Sequence, residues 1–366
     1  MKSKAVVCRN LNAPVVVEEI EIQPPQRGEV LVKMVACGVC HSDLSATNGT
    51  IGFPLPLILG HEGAGVIAEV GEGVSEVKVG DHVLTSFVSM CGKCRYCAVG
   101  KPALCELGAR TFTTLPNGAV RTHDAGGAAL GIFSGVGSMS EYATLSTDSV
   151  VKIRNDVPLS SACLVGCGVM TGFGAVTNTA KIEAGSIVAV FGCGGVGLAA
   201  IQGANVAGAA MVIAIDTVAH KLEFAKLMGA THTLNSKEEE NLVKAIKKLS
   251  GGGVDYAFEC VGFGEIVAQA YGALRKGGTA VVVGVANGKD MTTVKTATLT
   301  FEEKTLTGSY FGGARPREDF PRILALYKAG KLKLDELVTK TYSIDEAPQA
   351  FADLAAGKNA RGVIVF

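Results

Sequence analysis

Short apolar runs separated by turn-forming residues characterise the first 150 residues of the chain. Paired prolines and Gly-Asp steps lie between these runs, and no long helical period appears. The runs are rich in β-branched residues and comprise Val15–Val17, Val30–Val35, Gly65–Val70 and His82–Leu84. Short strands with regular Gly and Pro punctuation are typical of a barrel or a sandwich. The pattern therefore predicts an all-β N-terminal region.

The pattern changes from about residue 175, where apolar runs of five or six residues alternate with helix-length segments. The pattern predicts strands at Ile187–Phe191, Met211–Ile215, Thr231–Leu234, Val254–Phe258 and Thr279–Val285. It predicts helices at Gly195–Ala207, His220–Leu227, Glu238–Leu249 and Glu265–Leu274. Such alternation indicates a parallel, doubly wound sheet. The region after Tyr310 is polar and ends in a strand at Gly362–Phe366, which we expect to return to the first domain.

One uncharged stretch raises the question of a membrane span. Residues Ala184–Ile215 contain no charged side chain, and such a length is sufficient to cross a bilayer. Seven glycines, Gln202 and Asn205 interrupt the stretch, which divides into strand, glycine-rich turn, helix and strand. The division predicts a buried strand–helix–strand unit and no membrane partner.

Composition and charge narrow the function classes. The chain has 366 residues, which corresponds to two domains. Lys+Arg and Asp+Glu are each 34, and this balance argues against a basic nucleic-acid binder or an acidic tail protein. The N-terminus, Met1–Asn10, has no apolar signal region, so we expect a cytoplasmic protein. In that compartment, clustered cysteines bind metal more often than they form disulfides.

A glycine-rich loop directly follows the predicted strand at Ile187–Phe191. Residues 192–197, Gly-Cys-Gly-Gly-Val-Gly, match G-x-G-x-x-G and open a helix, where a pyrophosphate would bind the helix N-terminus. Asp216 follows Gly197 by 19 residues, at the end of the next strand. An acid there hydrogen-bonds the ribose hydroxyls and repels a 2′-phosphate, so NAD is expected over NADP. Out of context, Asp216 would equally be a helix N-cap.

Four cysteines crowd into one short segment. Their spacing closes a tetrahedral zinc site with no open position, which makes the site structural. The residues are Cys91, Cys94, Cys97 and Cys105. A zinc ribbon that binds nucleic acid is the alternative, but the few local charges and zero net charge argue against it.

Three scattered residues are candidates for a second, open zinc site. Cys40, His61 and Cys167 form a Cys₂His set, and such a set leaves the fourth position that a catalytic zinc requires. Spacing alone does not select these three. Cys167 would equally be a small core hydrophobe, and His61 a hydrogen-bonded turn residue.

The order of these motifs resembles that of zinc-dependent alcohol dehydrogenases of the medium-chain dehydrogenase/reductase superfamily. The matching segments are Cys37–Asp43, Gly60–Gly65, Val79–Val83, Cys91–Cys105, Val165–Gly172, Phe191–Gly197 and Asn359–Arg361. The stretch between Cys105 and Ser140 resembles the longer-loop branch, which includes glutathione-dependent formaldehyde dehydrogenases and bacterial aryl-alcohol dehydrogenases. The implied fold is α/β, with a GroES-like β-barrel catalytic domain over 1–168 and 311–366 and a Rossmann doubly wound parallel-sheet domain over 169–310.

The resemblance also implies residue roles. Cys40, His61 and Cys167 would bind the catalytic zinc, and the four clustered cysteines the structural zinc. Ser42 would take the alcohol proton, Asp43 would hold the ligating imidazole, and Glu62 would lie behind the zinc. The cofactor set is His41, Thr171, Gly192, Gly194, Gly195, Val196, Gly197, Asp216, Lys221, Val261, Val285 and Arg361. The pocket set, for which ordinary core is the alternative, is Ile51, Phe87, Phe133 and Tyr310.

The function implied by this resemblance is the oxidation of primary alcohols, including aromatic or allylic ones, to aldehydes and the reverse. Hydride would pass to NAD, and each chain would hold two Zn²⁺. A thiol-adduct (S-hydroxymethylglutathione-type) formaldehyde dehydrogenase is the alternative, and a zinc protein without catalysis a third reading. Many relatives carry a histidine where this chain has Ser45, so the proton relay is expected to end in water. A homodimer or a tetramer is expected.

Overall fold

The computed structural model describes residues 1–108 and 111–366, which form two compact units. Unit 1 comprises Met1–Cys167, Arg315–Gly330 and Leu334–Phe366, and unit 2 comprises Gly168–Ala314 and Lys331–Lys333. The predicted boundaries, after residues 168 and 310, lie one and four residues from those of the structure. The expected return of the C-terminal tail to the first domain is confirmed, because its last strand pairs with a strand of unit 1.

The secondary structure is mainly strands over the first 150 residues and contains both strands and helices in the rest of the chain. The strands are β1 (Lys2–Cys8), β2 (Val16–Ile22), β3 (Glu29–Val39), β4 (Leu57–Ile58), β5 (Glu62–Val70), β6 (His82–Thr85), β7 (Thr122–Asp124), β8 (Gly131–Ile132), β9 (Tyr142–Ser146), β10 (Val150–Lys152), β11 (Ile187–Phe191), β12 (Met211–Asp216), β13 (His232–Asn235), β14 (Val254–Glu259), β15 (Leu274–Val282), β16 (Thr305–Gly308), β17 (Val338–Ser343) and β18 (Arg361–Val365). The α-helices are α1 (His41–Thr47), α2 (Arg95–Ala98), α3 (Leu159–Ala162), α4 (Gly168–Gly174), α5 (Gly195–Val206), α6 (Ala219–Leu227), α7 (Leu242–Leu249), α8 (Gly264–Ala273), α9 (Thr296–Phe301), α10 (Pro316–Lys328) and α11 (Ala347–Ala355).

Two β-sheets form the framework of unit 1. One has the strand order β7-β2-β1-β4-β8, and the other has the order β10-β6-β5-β3-β18-β17, with β9 also paired to β3. Alternate side chains of β1 enter different hydrophobic clusters: Ala5 and Val7 pack in one, and Val6 and Cys8 in another. Successive side chains of a strand point to opposite faces, so β1 is buried on both. Strands dominate the first 150 residues, as predicted, apart from the short helices α1 and α2.

A six-stranded parallel sheet forms the framework of unit 2. Its strand order is β13-β12-β11-β14-β15-β16, so β11 pairs with β12 on one side and with β14 on the other. This is the strand order of a doubly wound fold, in which the chain runs outward from β11 to β13 on one side and from β14 to β16 on the other. In such folds, ligands bind at the carboxyl ends of the strands, between the two central strands at which the order reverses. The predicted parallel sheet is confirmed.

The uncharged stretch at 184–215 folds as β11, α5 and β12, in agreement with the prediction. Over residues 1–108 and 111–366, no single helix is long and apolar enough to cross a membrane. One bent pair, Leu159–Gly166 with Gly168–Ala180, meets the length and composition criteria together.

Several predicted elements differ from the structure at their ends. The helix predicted from Glu238 begins only at Leu242, because the Asn241 side chain accepts the Lys244 N–H at 2.9 Å and caps the helix there. Leu274, predicted as a helix end, begins β15. The strand predicted to reach Val285 ends at Val282.

The polar tail after Tyr310 contains more regular structure than its pattern indicated. Helix α10 carries Pro316 in its first turn and Pro321 inside, which obscures a helical signal in the sequence. Helix α11 and strand β17 were also not predicted. Asp353 of α11 accepts hydrogen bonds from Lys340 Nζ and Tyr342 OH of β17, each at 2.8 Å, so these elements hold one another.

Candidate active site and metal centres

Three separate segments of unit 1 bring potential metal ligands together. Cys40 lies between β3 and α1, His61 directly precedes β5, and Cys167 follows a 3₁₀ turn at Cys163–Gly166. Their ligand atoms and a carboxylate oxygen of Glu62 all lie within 4.8 Å of one another. The structure therefore places the three predicted ligands in one site.

A tight turn at Gly60 presents His61 to this site. Gly60 has φ +94°, and a β-carbon there would lie 2.7 Å from Met139 Cγ and 3.0 Å from Cys37 Sγ. A side chain is therefore excluded on two grounds, the left-handed backbone and the crowding. On the other side, Thr85 Oγ1 donates to the His61 carbonyl at 3.0 Å and accepts the Gly63 N–H at 2.8 Å.

The two ring nitrogens of the buried His61 have different surroundings. Nδ1 lies 3.2 Å from Asp43 Oδ2, and the Gly60 N–H donates to Oδ1 of the same carboxylate at 2.8 Å. Nε2 is buried and has no hydrogen-bond partner among the residues that the structure describes. A buried polar atom without a partner is costly, whereas a zinc ion would satisfy Nε2 and leave Nδ1 to the carboxylate. The site therefore fits a zinc ion.

The two thiols of the site lie close together, with sulfur atoms within 4.8 Å of each other. The Cys167 thiol lowers the pKa of Cys40 well below its usual range, and the same contact together with burial raises the pKa of Cys167. Zinc binds cysteine as the thiolate, so binding of a divalent cation at this site would release thiol protons. Two thiolates and an imidazole leave a fourth position open for an oxygen ligand.

A buried ion pair adjoins the cluster. Glu62 is fully buried, Arg361 is 6% exposed, and the guanidinium donates to Glu62 Oε2. Burial raises the pKa of Glu62 to about 7, although the charge of Arg361 opposes this. A β-carbon at Gly38 would overlap Glu62 Oε2, so the glycine makes room for the carboxylate. Sequence reasoning missed this pair, and the predicted contact of Arg361 with a pyrophosphate stays a prediction.

Ser42 lies beside the cluster in the first turn of α1. Its Oγ is 3.9 Å from Cys40 Sγ, and its side chain is half-buried. Ser45 follows one turn later on the same helix and is also half-buried, whereas His41 is exposed. The Ser42 hydroxyl, which contacts Cys40 Sγ, is therefore placed to exchange a proton at the site.

Aromatic rings surround the imidazole of His61. The ring of Phe87 meets it edge-on at 5.6 Å between centroids, and Phe133 lies at 5.1 Å. Phe133 is only 2% exposed and belongs to a hydrophobic cluster, which agrees with the alternative reading of ordinary core. Phe53, which sequence reasoning missed, packs against Phe133 at 4.7 Å and against Phe112 at 5.1 Å. No pattern in the sequence marks Phe53.

The remaining two predicted pocket residues differ in their surroundings. Ile51 is half-buried shortly after α1 in unit 1, and its N–H donates to the Ser45 carbonyl at 3.0 Å. Tyr310 is 53% exposed and belongs to unit 2. The pocket role of Ile51 and Tyr310 stays a prediction.

The four clustered cysteines form a second centre in unit 1, with ligand atoms within 4.8 Å of one another. Cys105 Sγ lies 3.6 Å from Cys91 Sγ and 3.9 Å from Cys94 Sγ, and all four thiols are free. A disulfide would need about 2.05 Å. Sulfurs at the corners of a tetrahedron around zinc lie about 3.8 Å apart, given Zn–S of about 2.3 Å. The spacing therefore fits zinc.

Backbone groups of the same loop favour ionisation of one thiol. The main-chain N–H groups of Cys97 and Glu106 lower the pKa of Cys94 to about 6, whereas burial raises the pKa of Cys97 to about 12. The loop offers little apolar packing, since Val99 is 66% and Leu104 46% exposed. Metal ligation is thus the main interaction available to hold this loop.

The glycine-rich loop of unit 2 follows β11 and leads into α5. Gly192 has φ +91°, and a β-carbon at Gly197 would overlap the Gly192 carbonyl oxygen. Gly194 occupies the N-cap position of α5, and a β-carbon there would meet no described atom within 4 Å. Backbone conformation and close packing therefore explain the glycines at 192 and 197. At Gly194 the space is open, and the N–H groups at the N-terminus of α5 would suit a phosphate that binds there.

Asp216 ends β12 and binds two backbone groups with its carboxylate. Oδ2 accepts the Cys193 N–H at 2.8 Å, and Oδ1 accepts the Val218 N–H at 3.0 Å at the start of α6. The N-cap of α6 is Val218, so Asp216 is not the helix N-cap that was the alternative reading. A carboxylate can accept about four hydrogen bonds, and these two N–H groups use two of them. Asp216 can therefore still accept hydrogen bonds from ribose hydroxyls.

The other predicted cofactor residues of unit 2 occupy varied positions. Thr171 is 9% exposed on α4, and Lys221 is half-buried on α6. Val196 lies in the first turn of α5, and its carbonyl is so close to Gly172 that a β-carbon there would overlap it. Val261 and Val285 are 45% and 65% exposed, beyond the ends of β14 and β15.

The two centres generate a prediction about metal content and stability. We expect two zinc ions per chain. Cys40→Ser should lose one zinc and activity while the melting temperature changes little, because buried hydrophobic clusters stabilise unit 1. Cys94→Ser should lose the other zinc and lower the melting temperature or cause aggregation, because structural zinc contributes folding free energy. Metal analysis and calorimetry of both variants measure this, and loss of both zincs in Cys40→Ser would contradict it.

Comparison with known proteins relates both units to one family. Residues 26–155 match the alcohol dehydrogenase GroES-like domain, and residues 195–329 match the zinc-binding dehydrogenase domain. The chain is 45% identical to an NDMA-dependent alcohol dehydrogenase of Amycolatopsis methanolica, over 100% of this chain and 99% of that protein. It is 40% identical to an S-(hydroxymethyl)glutathione dehydrogenase of Synechocystis, over 100% of both. The crystal structure of benzyl alcohol dehydrogenase from Acinetobacter calcoaceticus superposes with a TM-score of 0.95 at 36% identity, over 100% and 99% of the two chains.

These likenesses extend over the whole chain. The predicted α/β fold, with a GroES-like domain and a Rossmann domain, is confirmed. The family resemblance inferred from the order of the motifs is confirmed as well. The chain belongs to the zinc-dependent alcohol dehydrogenases of the medium-chain dehydrogenase/reductase superfamily.

Proposed function

We propose that this alcohol dehydrogenase oxidises primary alcohols, aromatic or allylic ones among them, to aldehydes, and catalyses the reverse reaction, with NAD as the hydride acceptor. The observation that carries the proposal is the buried site in which His61 Nε2 has no partner among the described residues and faces the Cys40 and Cys167 thiols. The rings of Phe87 and Phe133 beside His61 support an apolar substrate. The benzyl alcohol dehydrogenase structure supports the same class.

Different residues of the site would have different roles in this reaction. Zinc, when bound, polarises the alcohol oxygen and lowers its pKa toward neutrality. Asp43 holds the His61 ring in one tautomer and orientation, since the carboxylate accepts from Nδ1. The Ser42 hydroxyl accepts the alcohol proton and passes its own proton on toward solvent. The glycine-rich loop and Asp216 would hold NAD, which would supply the hydride acceptor.

A thiol-adduct formaldehyde dehydrogenase is the second candidate. The Synechocystis relative, which is 40% identical over the whole chain, is named for S-(hydroxymethyl)glutathione, and this favours it. Such a substrate would be recognised by cationic side chains at the site. Arg361, the cation described next to the zinc ligands, is already paired with Glu62. We therefore place this reaction second.

An alcohol panel with three acceptors tests the proposed function. Benzyl alcohol, cinnamyl alcohol, ethanol, and formaldehyde with or without glutathione are each assayed with NAD, NADP and NDMA. NDMA is included because the Amycolatopsis relative is named for its dependence on it. We expect the highest kcat/KM for the aromatic and allylic alcohols with NAD.

Each outcome of this panel has one meaning. Turnover of alcohols with NDMA alone would contradict NAD as an exchangeable acceptor and leave alcohol oxidation standing. Turnover of formaldehyde only with glutathione would establish the second candidate. No turnover of any alcohol with any acceptor would contradict the proposed function.

Asp216 should set the choice between NAD and NADP. Its charge repels a 2′-phosphate, so we expect NAD to be preferred by at least about tenfold in kcat/KM, or ~1.4 kcal/mol. Asp216→Gly should narrow that preference, measured from initial rates with both cofactors. Glu223→Gln is the control, because it removes an exposed acid of α6 that pairs with Lys226 and should leave the preference unchanged. Equal use of both cofactors by the unmodified enzyme would contradict this role.

Ser45 should limit the proton relay near neutral pH. A serine hydroxyl is no base at pH 7, whereas an imidazole with a pKa of about 6.5 accepts a proton there. Ser45→His should therefore raise single-turnover alcohol oxidation several-fold near pH 7, and the gain should shrink at alkaline pH. Ser45→Asn is the control of similar size without a base. Superimposable single-turnover pH profiles for Ser45→His and the unmodified enzyme would show that Ser45 does not limit the reaction.

The assembly and the location of the enzyme are further proposals. We propose a cytoplasmic homodimer, with a tetramer as the alternative. Strand β16 is the last strand in the order of its sheet, and Phe301 in the segment before it is 82% exposed. An open edge beside an exposed apolar side chain supports pairing with a second copy. Sedimentation equilibrium distinguishes monomer, dimer and tetramer.

A further inference from the structure

A fully buried carboxylate ends strand β14 in the middle of the sheet of unit 2. Glu259 is 0% exposed, and its Oε1 accepts the N–H groups of Val261 at 2.7 Å and of Gly262 at 2.6 Å. Its main-chain oxygen accepts the N–H groups of Val283 at 2.8 Å and of Gly284 at 2.9 Å, just after β15. One residue therefore fixes the chain where it leaves two neighbouring strands.

This carboxylate lies beside the glycine-rich loop. Glu259 is paired in register with Phe191, the last residue of β11, and the Cys260 N–H donates to the Phe191 carbonyl at 2.9 Å. A β-carbon at Gly192 would lie 2.7 Å from Val261 Cγ2, so the Val261 side chain fills the space beside that glycine. The backbone position of Val261, which Glu259 holds, thereby determines what flanks the first glycine of the loop.

The same carboxylate holds the loop after β14 against the loop after β15. Gly262 has φ +96°, and a β-carbon there would lie 2.6 Å from the Val285 carbonyl oxygen. The two backbones therefore touch with no side chain between them. Val261 and Val285 are nevertheless 45% and 65% exposed, so their side chains present a surface that the protein itself does not cover.

Fold stability alone accounts poorly for an acid at this position. Glu259 Oε2 is buried without a hydrogen-bond partner, and no ion pair of Glu259 occurs in the part of the chain that the structure describes. Burial raises the pKa of Glu259, although the surrounding N–H groups oppose this. An unpaired buried carboxylate oxygen costs free energy. Buried polar atoms without a hydrogen-bond partner are rare in proteins, and many of them belong to residues with a functional role.

Asp255, at the opposite end of β14, shows the ordinary arrangement. Its Oδ2 accepts the Ile187 N–H at 2.7 Å, and its carboxylate pairs with Arg275 at 3.2 Å. It is partly exposed and lies at the amino end of the strand, away from the glycine-rich loop at the carboxyl end of β11. The two acids thus make the same kind of bond to backbone at the two ends of one strand.

We propose that Glu259 is a positioning residue for the dinucleotide: its carboxylate fixes Val261 and Gly262 so that Val261 and Val285 form the apolar part of the surface beside the glycine-rich loop. The inference rests on the proposed binding of NAD and adds a residue that neither the motifs nor the ligand sets identify. It predicts that loss of the Oε1 acceptor weakens dinucleotide binding without altering the zinc sites of unit 1.

Direct binding of NADH to the zinc-loaded protein tests this inference. The chain has no Trp, so the fluorescence of NADH is read without interference from that residue. Glu259→Ala should raise the Kd for NADH about tenfold, which corresponds to the loss of the bonds that a charged acceptor makes to backbone. Glu259→Gln keeps an oxygen at Oε1 and should bind within about threefold of the unmodified protein. In turnover, KM for NAD should rise more than kcat falls.

Asp255→Ala is the matched control, and zinc content is measured in every variant. It should lower the melting temperature through its lost backbone bond and ion pair, and leave the Kd for NADH unchanged. Hydrogen exchange of the amides of residues 260–264 should be faster in Glu259→Ala and close to normal in Glu259→Gln. If Glu259→Ala fails to fold, Glu259→Asp replaces it, since a side chain shorter by one methylene cannot reach both N–H groups and should also weaken binding.

The possible results separate the inference from the function on which it rests. If the folded Glu259→Ala protein, or Glu259→Asp in its place, binds NADH like the unmodified protein, the inference is overturned. Equal weakening by Asp255→Ala would also overturn it, because general destabilisation would then explain the effect. If the unmodified protein does not bind NADH at all, the proposed use of NAD fails, and the positioning role fails with it.

Discussion

A buried imidazole with one nitrogen held by a carboxylate and the other without a partner is the constraint on which the site of unit 1 depends. Asp43 fixes the His61 ring, so that Nε2 is directed to the two thiols. The turn at Gly60 presents the ring, and the buried Glu62–Arg361 pair fills the adjacent space. Each of these features is costly by itself, since it buries charge or restricts the backbone. A divalent cation would offset part of this cost, because it would bind both His61 Nε2 and the two thiols.

The two cysteine-containing centres of unit 1 differ in what a bound zinc ion would contribute. The loop of Cys91–Cys105 exposes much of its small apolar content, so a closed four-thiolate site supplies the interaction that packing does not. The site of Cys40 and Cys167 instead lies among buried side chains of unit 1. Its three ligands leave one position open, and the surrounding aromatic rings restrict what can enter. The same metal would therefore stabilise one segment and serve chemistry in the other.

In unit 2, carboxylates at strand ends hold backbone in place. Asp216 binds the N–H groups of Cys193 and Val218 beyond β11 and β12, and Glu259 binds those of Val261 and Gly262 beyond β14. Loops at the carboxyl ends of parallel strands lack the ladder that fixes the strands themselves, so their N–H groups need other acceptors. Short acidic side chains supply these acceptors locally. The backbone of these loops is thereby held by hydrogen bonds, while Val261 and Val285 stay exposed.

The sequence by itself determined the class of fold, the family and the ligand types, because these depend on local pattern and on the order of motifs. The alternation of strands and helices in unit 2 follows from short-range periodicity, and the four clustered cysteines lie close enough in sequence for their spacing to indicate a site. Only the tertiary structure brought Cys40, His61 and Cys167 together, paired Arg361 with Glu62, and placed Glu259 beside Gly192. A capping side chain decided where α7 begins, and β15 ends where the N–H groups of Val283 and Gly284 both donate to the Glu259 carbonyl. Contacts between residues far apart in the chain depend on sheet register and backbone packing, which a local pattern of hydrophobic and polar residues does not encode.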